Sequence, residues 1–315
     1  MRIAIAGTNN FALLVARFVV TETSHQIVVL ARKEQPGLAG QGYPVLVVDY
    51  DNQQTLRHAV MGVDTVICTV TGPSGLQLLH ASVSQKVRRF VPAEFEGRPG
   101  NRSDPDPLDR GNKIIRSWLD HYRSEIESTI FSFGVFYERF GPGGLESHRL
   151  GLAAYICKEG DYIVNVRTMR ASAPIYDANY GTGISISMIS AQDAAHLVVR
   201  AIDLRRWPRE LYMVGDRMTV LDVCRTVERV RGNTLFSTSW HNLETLRDEL
   251  RLAQMLGDVA RQMRAHDHLE TINGRYDIGA PGNLRGFQET RDIVPITFEA
   301  WLRAVWANIP IIHLP

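Results

Sequence analysis

The residues with most chemistry to offer stand just after apolar, β-branched runs. The run Ile3–Ala6 ends at Gly7-Thr8-Asn9-Asn10 and leads into an apolar stretch that opens Phe11-Ala12. A strand that turns at glycine into a helix has the geometry of a dinucleotide-binding turn. The glycines there permit the tight turn, let backbone N–H groups approach a pyrophosphate and allow close packing of helix on strand. Gly7 can serve the turn and Ala12 permits fairly close packing, while Asn9 and Asn10 occupy positions where small residues usually sit. The run Gln26–Ala31 is followed by Arg32-Lys33. Dinucleotide sites that take NAD place an acid there for the adenosine ribose hydroxyls, whereas two bases suit a 2′-phosphate, so a bound cofactor would be NADPH. Solvated loop charges are the alternative for this pair.

Two further runs end in Thr69-Val70-Thr71-Gly72-Pro73 and in Val91-Pro92-Ala93-Glu94-Phe95. Thr69, Thr71 and Pro92 are placed to contact ribose or nicotinamide, with plain turn chemistry an equal reading for Thr71. Glu94 and Phe95 are candidates to meet a substrate, as are Phe136 and Tyr137 in Phe136-Tyr137-Glu138-Arg139-Phe140. Phe95 could instead close the core, and Tyr137 could anchor the interface between two lobes. Lys113 lies in Leu108-Asp109-Arg110-Gly111-Asn112-Lys113, in a chain with only four lysines. Burial tunes an ammonium into a proton donor or acceptor near neutral pH, which a guanidinium does not allow, although a helix lysine is more often solvated.

These residues need a scaffold. Apolar runs near Ile3–Ala6, Gln26–Ala31, Val45–Val48, Thr65–Val70, Arg89–Val91 and Thr129–Phe133 alternate with helical patterns near Ala12–Thr21, Gln53–Met61, Gly75–Gln85 and Leu108–Arg123. Continuous apolar strands separated by ten-residue helical patterns predict an α/β fold with a doubly wound parallel sheet covered on both faces. Ligands of such sheets bind beyond the carboxyl ends of the strands, where all of these residues lie. Residues 1–150 are expected to form this dinucleotide-binding domain. Residues 151–315 are expected to form a smaller, mixed α/β substrate lobe, with the chain crossing back near 190–205. Strand-like pieces at Tyr162–Val166 and Ile184–Met188 belong to the lobe, as do helices capped by Ser190, Thr219 and Thr297. Arg98–Pro107, rich in Pro, Asp, Asn and Arg, reads as a surface loop beside the mouth of the site.

Composition sets the outer limits. A chain of 315 residues carrying net charge +1 is long enough to need neither metal nor disulfide, and it has no basic stripe for nucleic acid. Cys68, Cys157 and Cys224 form no Cys-x-x-Cys pair and read as reduced core residues of a cytoplasmic protein. Phe11–Val20 is too short to span a bilayer and reads as the first buried helix, so no membrane partner is expected. His266-Asp267-His268 is not expected to bind metal, because adjacent helix residues face different directions. The Tyr-Lys pair four residues apart of ordinary short-chain dehydrogenases, the Gly-x-Ser-x-Gly elbow and the Walker phosphate loop are all missing.

Gly7-Thr8, Arg32, Phe90-Val91-Pro92-Ala93-Glu94-Phe95, Lys113 and Ile272-Asn273-Gly274-Arg275-Tyr276 together resemble the NmrA-like and isoflavone reductase-like branch of the atypical short-chain dehydrogenases, and its fungal members above all. The resemblance extends to the terminal Pro295–Leu302 helix. It implies a Rossmann NADP domain, a substrate lobe, and hydride transfer from the nicotinamide to an activated double bond or benzylic carbon of a small molecule. It also implies that Arg32 binds the 2′-phosphate and Lys113 transfers the proton. Two positions depart from the family pattern: the turn reads Thr8-Asn9-Asn10, and Ala93 replaces the usual serine. The expectation is an NADPH-dependent reductase of a small aromatic or polyketide-like metabolite in natural-product biosynthesis, with a homodimer left open. The alternatives are a redox-neutral isomerase, cyclase or dehydratase on the old cofactor cleft, and an NADP-sensing regulator that binds a partner protein.

Overall fold

The computed structural model describes the chain except residues 152–154, 178–180, 182, 280–281 and 313–315. Six parallel strands, β1 (Arg2–Ala6), β2 (Gln26–Ala31), β3 (Val45–Val47), β4 (Thr65–Cys68), β5 (Arg89–Val91) and β6 (Glu127–Ser128), form one sheet in the order β3-β2-β1-β4-β5-β6. Its helices are α1 (Asn10–Glu22), α2 (Pro36–Gly40), α3 (Gln53–Val60), α4 (Pro73–Ser84) and α5 (Asn112–His121). The order reverses between β1 and β4, the crevice where doubly wound sheets take their ligands. Phe11–Val20 lies in α1, with Phe11, Ala12, Val15, Ala16 and Val19 buried against the sheet.

The remaining chain builds three small sheets. β7 (Ile130–Ser132) follows β6 after one residue but pairs in parallel with β12 (Glu210–Tyr212) in a separate two-stranded sheet. β8 (Val135–Phe136) pairs with β11 (Ser185–Ile189), which takes β13 (Asp216–Thr219) on its other side. β9 (Val164–Asn165), β10 (Arg170–Pro174) and β14 (Ser237–His241) form the third. The intervening helices are α6 (Gly144–Ser147), α7 (Ala191–Ala201), α8 (Val220–Val230), α9 (Leu243–Met255), α10 (Val259–Ile272) and α11 (Phe298–Trp306). Ser190, Thr219 and Thr297 each accept a hydrogen bond from the amide three residues on, capping α7, α8 and α11 as their residue types predict. α7 packs on α1, so a segment far along the chain completes the first core beside Val15 and Val19.

The start of α7 also binds an acid. Both oxygens of Glu138 accept from Ala191 N at 3.0 Å, but burial, with Asp193 nearby, pushes this carboxyl up to about 7. A carboxyl raised in the folded state adds stability that is complete below its unfolded value of 4.5 and is lost as pH rises through about 7. Thermal denaturation of the wild type should therefore shift to lower temperature between about pH 5 and about pH 8, and Glu138→Gln should flatten that slope. Equal slopes for the two proteins would count against this role for Glu138.

Candidate functional site

The site begins where β1 ends. Gly7 N donates to Leu30 O at 3.0 Å, and Gly7 holds φ +114°, a conformation L side chains rarely adopt. A Cβ there would stand 2.2 Å from Thr69 Oγ1, which donates to Ala6 O at 2.8 Å. The turn is thus locked to the β4 exit. Asn9 does not fill the space in front of the helix: its Oδ1 turns back and caps Ala12 N at 2.9 Å. Asn10 N donates to Arg149 O at 3.3 Å. The Thr8, Asn9 and Phe11 amides carry no hydrogen bond to protein among the described residues, and free amides at a helix N-terminus are what an anion meets.

At the β2 exit, Arg32 and Lys33 are exposed and form no ion pair among the described residues. Between the β4 and β5 exits and the second lobe lies a cavity of about 140 Å³. One wall is aromatic: Phe11 meets Phe95 at 4.7 Å and stacks on Phe136 at 5.6 Å between ring centroids. Phe95 both faces the cavity and packs on the first core, so the two readings of it coexist. The cavity brings together Asn9, Phe11, Thr69, Thr71, Glu94, Phe95 and Phe136 from the sequence-derived candidates. Gly7, Thr8, Asn10, Arg32, Lys33 and Pro92 stand outside its lining, the first five along the β1 and β2 exits and Pro92 buried below.

The opposite wall is charged. Glu94 is buried and pairs with both Arg102 and Arg116, so it is held by the protein as well as turned toward the cavity. Burial works against the Glu96 charge, but Arg139, Arg110, Arg275 and Arg102 outweigh it and hold the carboxyl below its usual range. Arg275 pairs with Asp106 at 2.8 Å, and Asn101 donates to the carbonyls of Gly274 and Asp277. Segment 98–107 lies beside the cavity, as its composition predicts, and is also clamped to residues 270–277, with Arg102 and Asp106 side chains only 4% and 5% exposed.

Two candidates lie elsewhere. The Lys113 ammonium is 63% exposed, pairs with Asp104 at 2.7 Å and does not line the cavity. Its neighbour Asn112 does, buried, with no donor to its Oδ1 among the described residues. Helix α5 starts only at Asn112, because Asp106 and Asp109 close local turns onto Leu108 N and Gly111 N, and Gly111 takes φ +84° beside Gly72. Tyr137 is wholly buried in the second core, hydrogen-bonded to Asp216 and to Ile296 O. Burial together with Asp216 pushes its phenol up. It packs in the second core and does not line this cavity.

The cavity sits at the sheet's topological switch, between a glycine turn and a charged second lobe, and the NmrA-like family model matches residues 2–278. The chain belongs to the NmrA-like family. It is 25% identical over 244 residues to oxidoreductase BOA1 of Botryotinia fuckeliana (strain B05.10), covering 74% of this chain and 76% of that protein. In fold it is similar to the leucoanthocyanidin reductase–NADPH complex from Vitis vinifera, with TM-score 0.69, 16% identity, and 96% and 99% of the two chains covered. It is likewise similar to the NADPH-dependent quinone oxidoreductase QOR2 with NADPH from Escherichia coli, with TM-score 0.68, 17% identity and the same coverage.

This NmrA-like chain uses residues that the sequence reading passes over. Glu96, Arg102, Arg110, Asn112, Arg139 and Arg275 line the cavity. Asn112 stands beside the singled-out Lys113, and Arg275 lies in the Ile272–Tyr276 segment, so a signal existed for both. Arg102, Arg110 and Arg139 also lie within segments singled out for other residues, but nothing local shows that their side chains turn to the cavity.

Proposed function

We propose that the chain is an NADPH-dependent reductase of a small aromatic or polyketide-like metabolite. The observation that carries this reading is the row of anchors along the carboxyl ends of the strands. Gly7 and the free Thr8, Asn9 and Phe11 amides suit a pyrophosphate. Arg32 and Lys33, exposed and in no ion pair among the described residues, suit a 2′-phosphate, and Thr69, Thr71 and Asn112 lie where ribose and nicotinamide would reach the cavity. NADPH supplies a hydride when bound. The chain's own residues do the rest: Phe11, Phe95 and Phe136 offer a flat apolar wall that orients an aromatic or conjugated substrate and keeps water from one face. The Arg102, Arg139 and Arg275 guanidiniums favour negative charge that develops on a substrate oxygen. The fungal relative's name, oxidoreductase, supports the same class.

The test is a fluorescence titration with NADPH. Blue-shifted, saturable emission is expected, and Arg32→Ala should weaken NADPH about tenfold while leaving NADH within about twofold, since only NADPH carries the 2′-phosphate. No binding at millimolar NADPH would overturn the reading. Lys113→Met separates two roles for the lysine. With its ammonium held outward by Asp104, turnover is expected to stay within about threefold of wild type, and a loss above about a hundredfold would return Lys113 to proton transfer.

A redox-neutral isomerase or dehydratase is favoured by one observation: protein acceptors already occupy Asn10 N and Ala12 N at the head of α1. Turnover that absolutely requires added NADPH would exclude it.

A further inference from the structure

A second chamber of about 260 Å³ adjoins the first and shares with it the lining residues Glu96, Leu108, Arg110 and Arg139. Its inner end is built by Arg139 and by Asp267 of α10, which is 1% exposed. Asp267 Oδ1 accepts from the Tyr276 hydroxyl, which fixes the carboxyl's orientation. Among the described residues no group donates to Oδ2. The Arg139 guanidinium stands 3.6 Å from Asp267 Oδ2 and 3.6 Å from Glu96 Oε1, too far to hydrogen-bond either, and among the described residues donates only a long 3.4 Å bond to Ile156 O. A buried carboxylate oxygen without a donor, beside a buried guanidinium with donors to spare, is costly by itself and suited to a ligand that satisfies both.

We propose that this chamber is the polar anchor of the substrate. Asp267 Oδ2 accepts from a substrate hydroxyl, and Arg139 donates to a carbonyl oxygen on a neighbouring carbon, so the chain selects hydroxycarbonyl compounds. The acceptor and donor lie side by side, which matches an O–H and a C=O carried close together. A carboxylate oxygen takes only a donor, so a methyl ether in place of the hydroxyl leaves Oδ2 unpaired and brings two lone pairs against it. Tyr276 acts through Asp267 and is a positioning residue. The shared walls let one molecule hold its polar end here and its flat, reducible part against Phe11, Phe95 and Phe136.

The inference rests on the reading of the cavity as a substrate site, and its test does not use turnover. Three probes, 2-hydroxyacetophenone, 2-methoxyacetophenone and acetophenone, are titrated by ligand-observed NMR into the full chain with and without NADP⁺. The hydroxy compound should bind about tenfold or more tighter than the methoxy compound. Asp267→Asn, which turns an amide donor toward the same space when its oxygen keeps the Tyr276 hydroxyl, should bring that ratio near one. Tyr276→Phe, which frees the Asp267 carboxyl to rotate, should lower the hydroxy preference to between the wild-type and Asp267→Asn ratios while leaving acetophenone binding unchanged; a purely structural pair would lose all three probes equally. Equal binding of hydroxy and methoxy probes to the wild type, or binding of none at millimolar concentration, would overturn the proposal. A chain that fails to bind NADPH but discriminates the probes loses the reductase reading and keeps this one.

Discussion

Gly7→Ala is expected to remove measurable NADPH binding and to lower stability. The new Cβ stands 2.2 Å from Thr69 Oγ1 at a backbone φ of +114°. Left-handed strain contributes about 1–2 kcal/mol, and forcing a methyl into a packed contact adds about 1–3 kcal/mol. If Thr69 rotates away it loses its bond to Ala6 O, and if the turn shifts, the Thr8, Asn9 and Phe11 amides leave their line. A loss of at least about a hundredfold in nucleotide affinity follows from about 2.7 kcal/mol misdirected in this way. Thr69→Ala in the same chain should restore part of the stability, because the steric share vanishes and the φ share persists. The checks are a urea denaturation midpoint and the NADPH titration. Wild-type values for Gly7→Ala in both would show that the turn is softer than its geometry states.

Glu94→Gln is expected to cost about 3–5 kcal/mol, the penalty for leaving a buried charge without its partner. The charge stranded is Arg102, whose side chain is 4% exposed and whose other bonds run to Gly97 O. Arg116, 20% exposed, recovers hydration more easily and adds less. Glu94→Gln with Arg102→Gln should be more stable than Glu94→Gln alone, a coupling that a double-mutant cycle in urea measures directly. Additive effects would mean that Glu94 is held by something other than these guanidiniums. The variant should also weaken substrate-analogue binding, since Glu94 and Arg102 face the cavity together.

Much of the scaffold is legible locally. The strand runs at Ile3–Ala6, Gln26–Ala31 and Arg89–Val91 and the caps at Ser190, Thr219 and Thr297 all appear where apolar patterning and side-chain capping put them. Misplaced boundaries have local causes seen only in three dimensions. The expected strand Thr65–Val70 stops at Cys68, because Thr69 turns its hydroxyl and amide onto Ala6 O. The expected strand Thr129–Phe133 shortens to β7 (Ile130–Ser132), which pairs with β12, while the residues just before Thr129 form β6 and pair with β5. The expected strand Tyr162–Val166 shortens to Val164–Asn165 where Ile163 adopts φ +56°. The helix expected from Leu108 begins four residues later, and that shift sets which side of α5 meets the cavity.

The sequence by itself determined the doubly wound sheet, the exits where ligands gather and the candidates at those exits, because strand and helix periods and turn chemistry are properties of near neighbours. The tertiary structure decided which candidates share a cavity. One step of about 100° round a helix separates buried Asn112 from exposed Lys113, and periodicity does not say which faces inward. It also decided the charged wall, since Arg275 meets Asp106 across 169 residues of chain and Arg139 meets Asp267 from another element. Such pairings depend on how the second lobe closes over the sheet, and no local pattern records it.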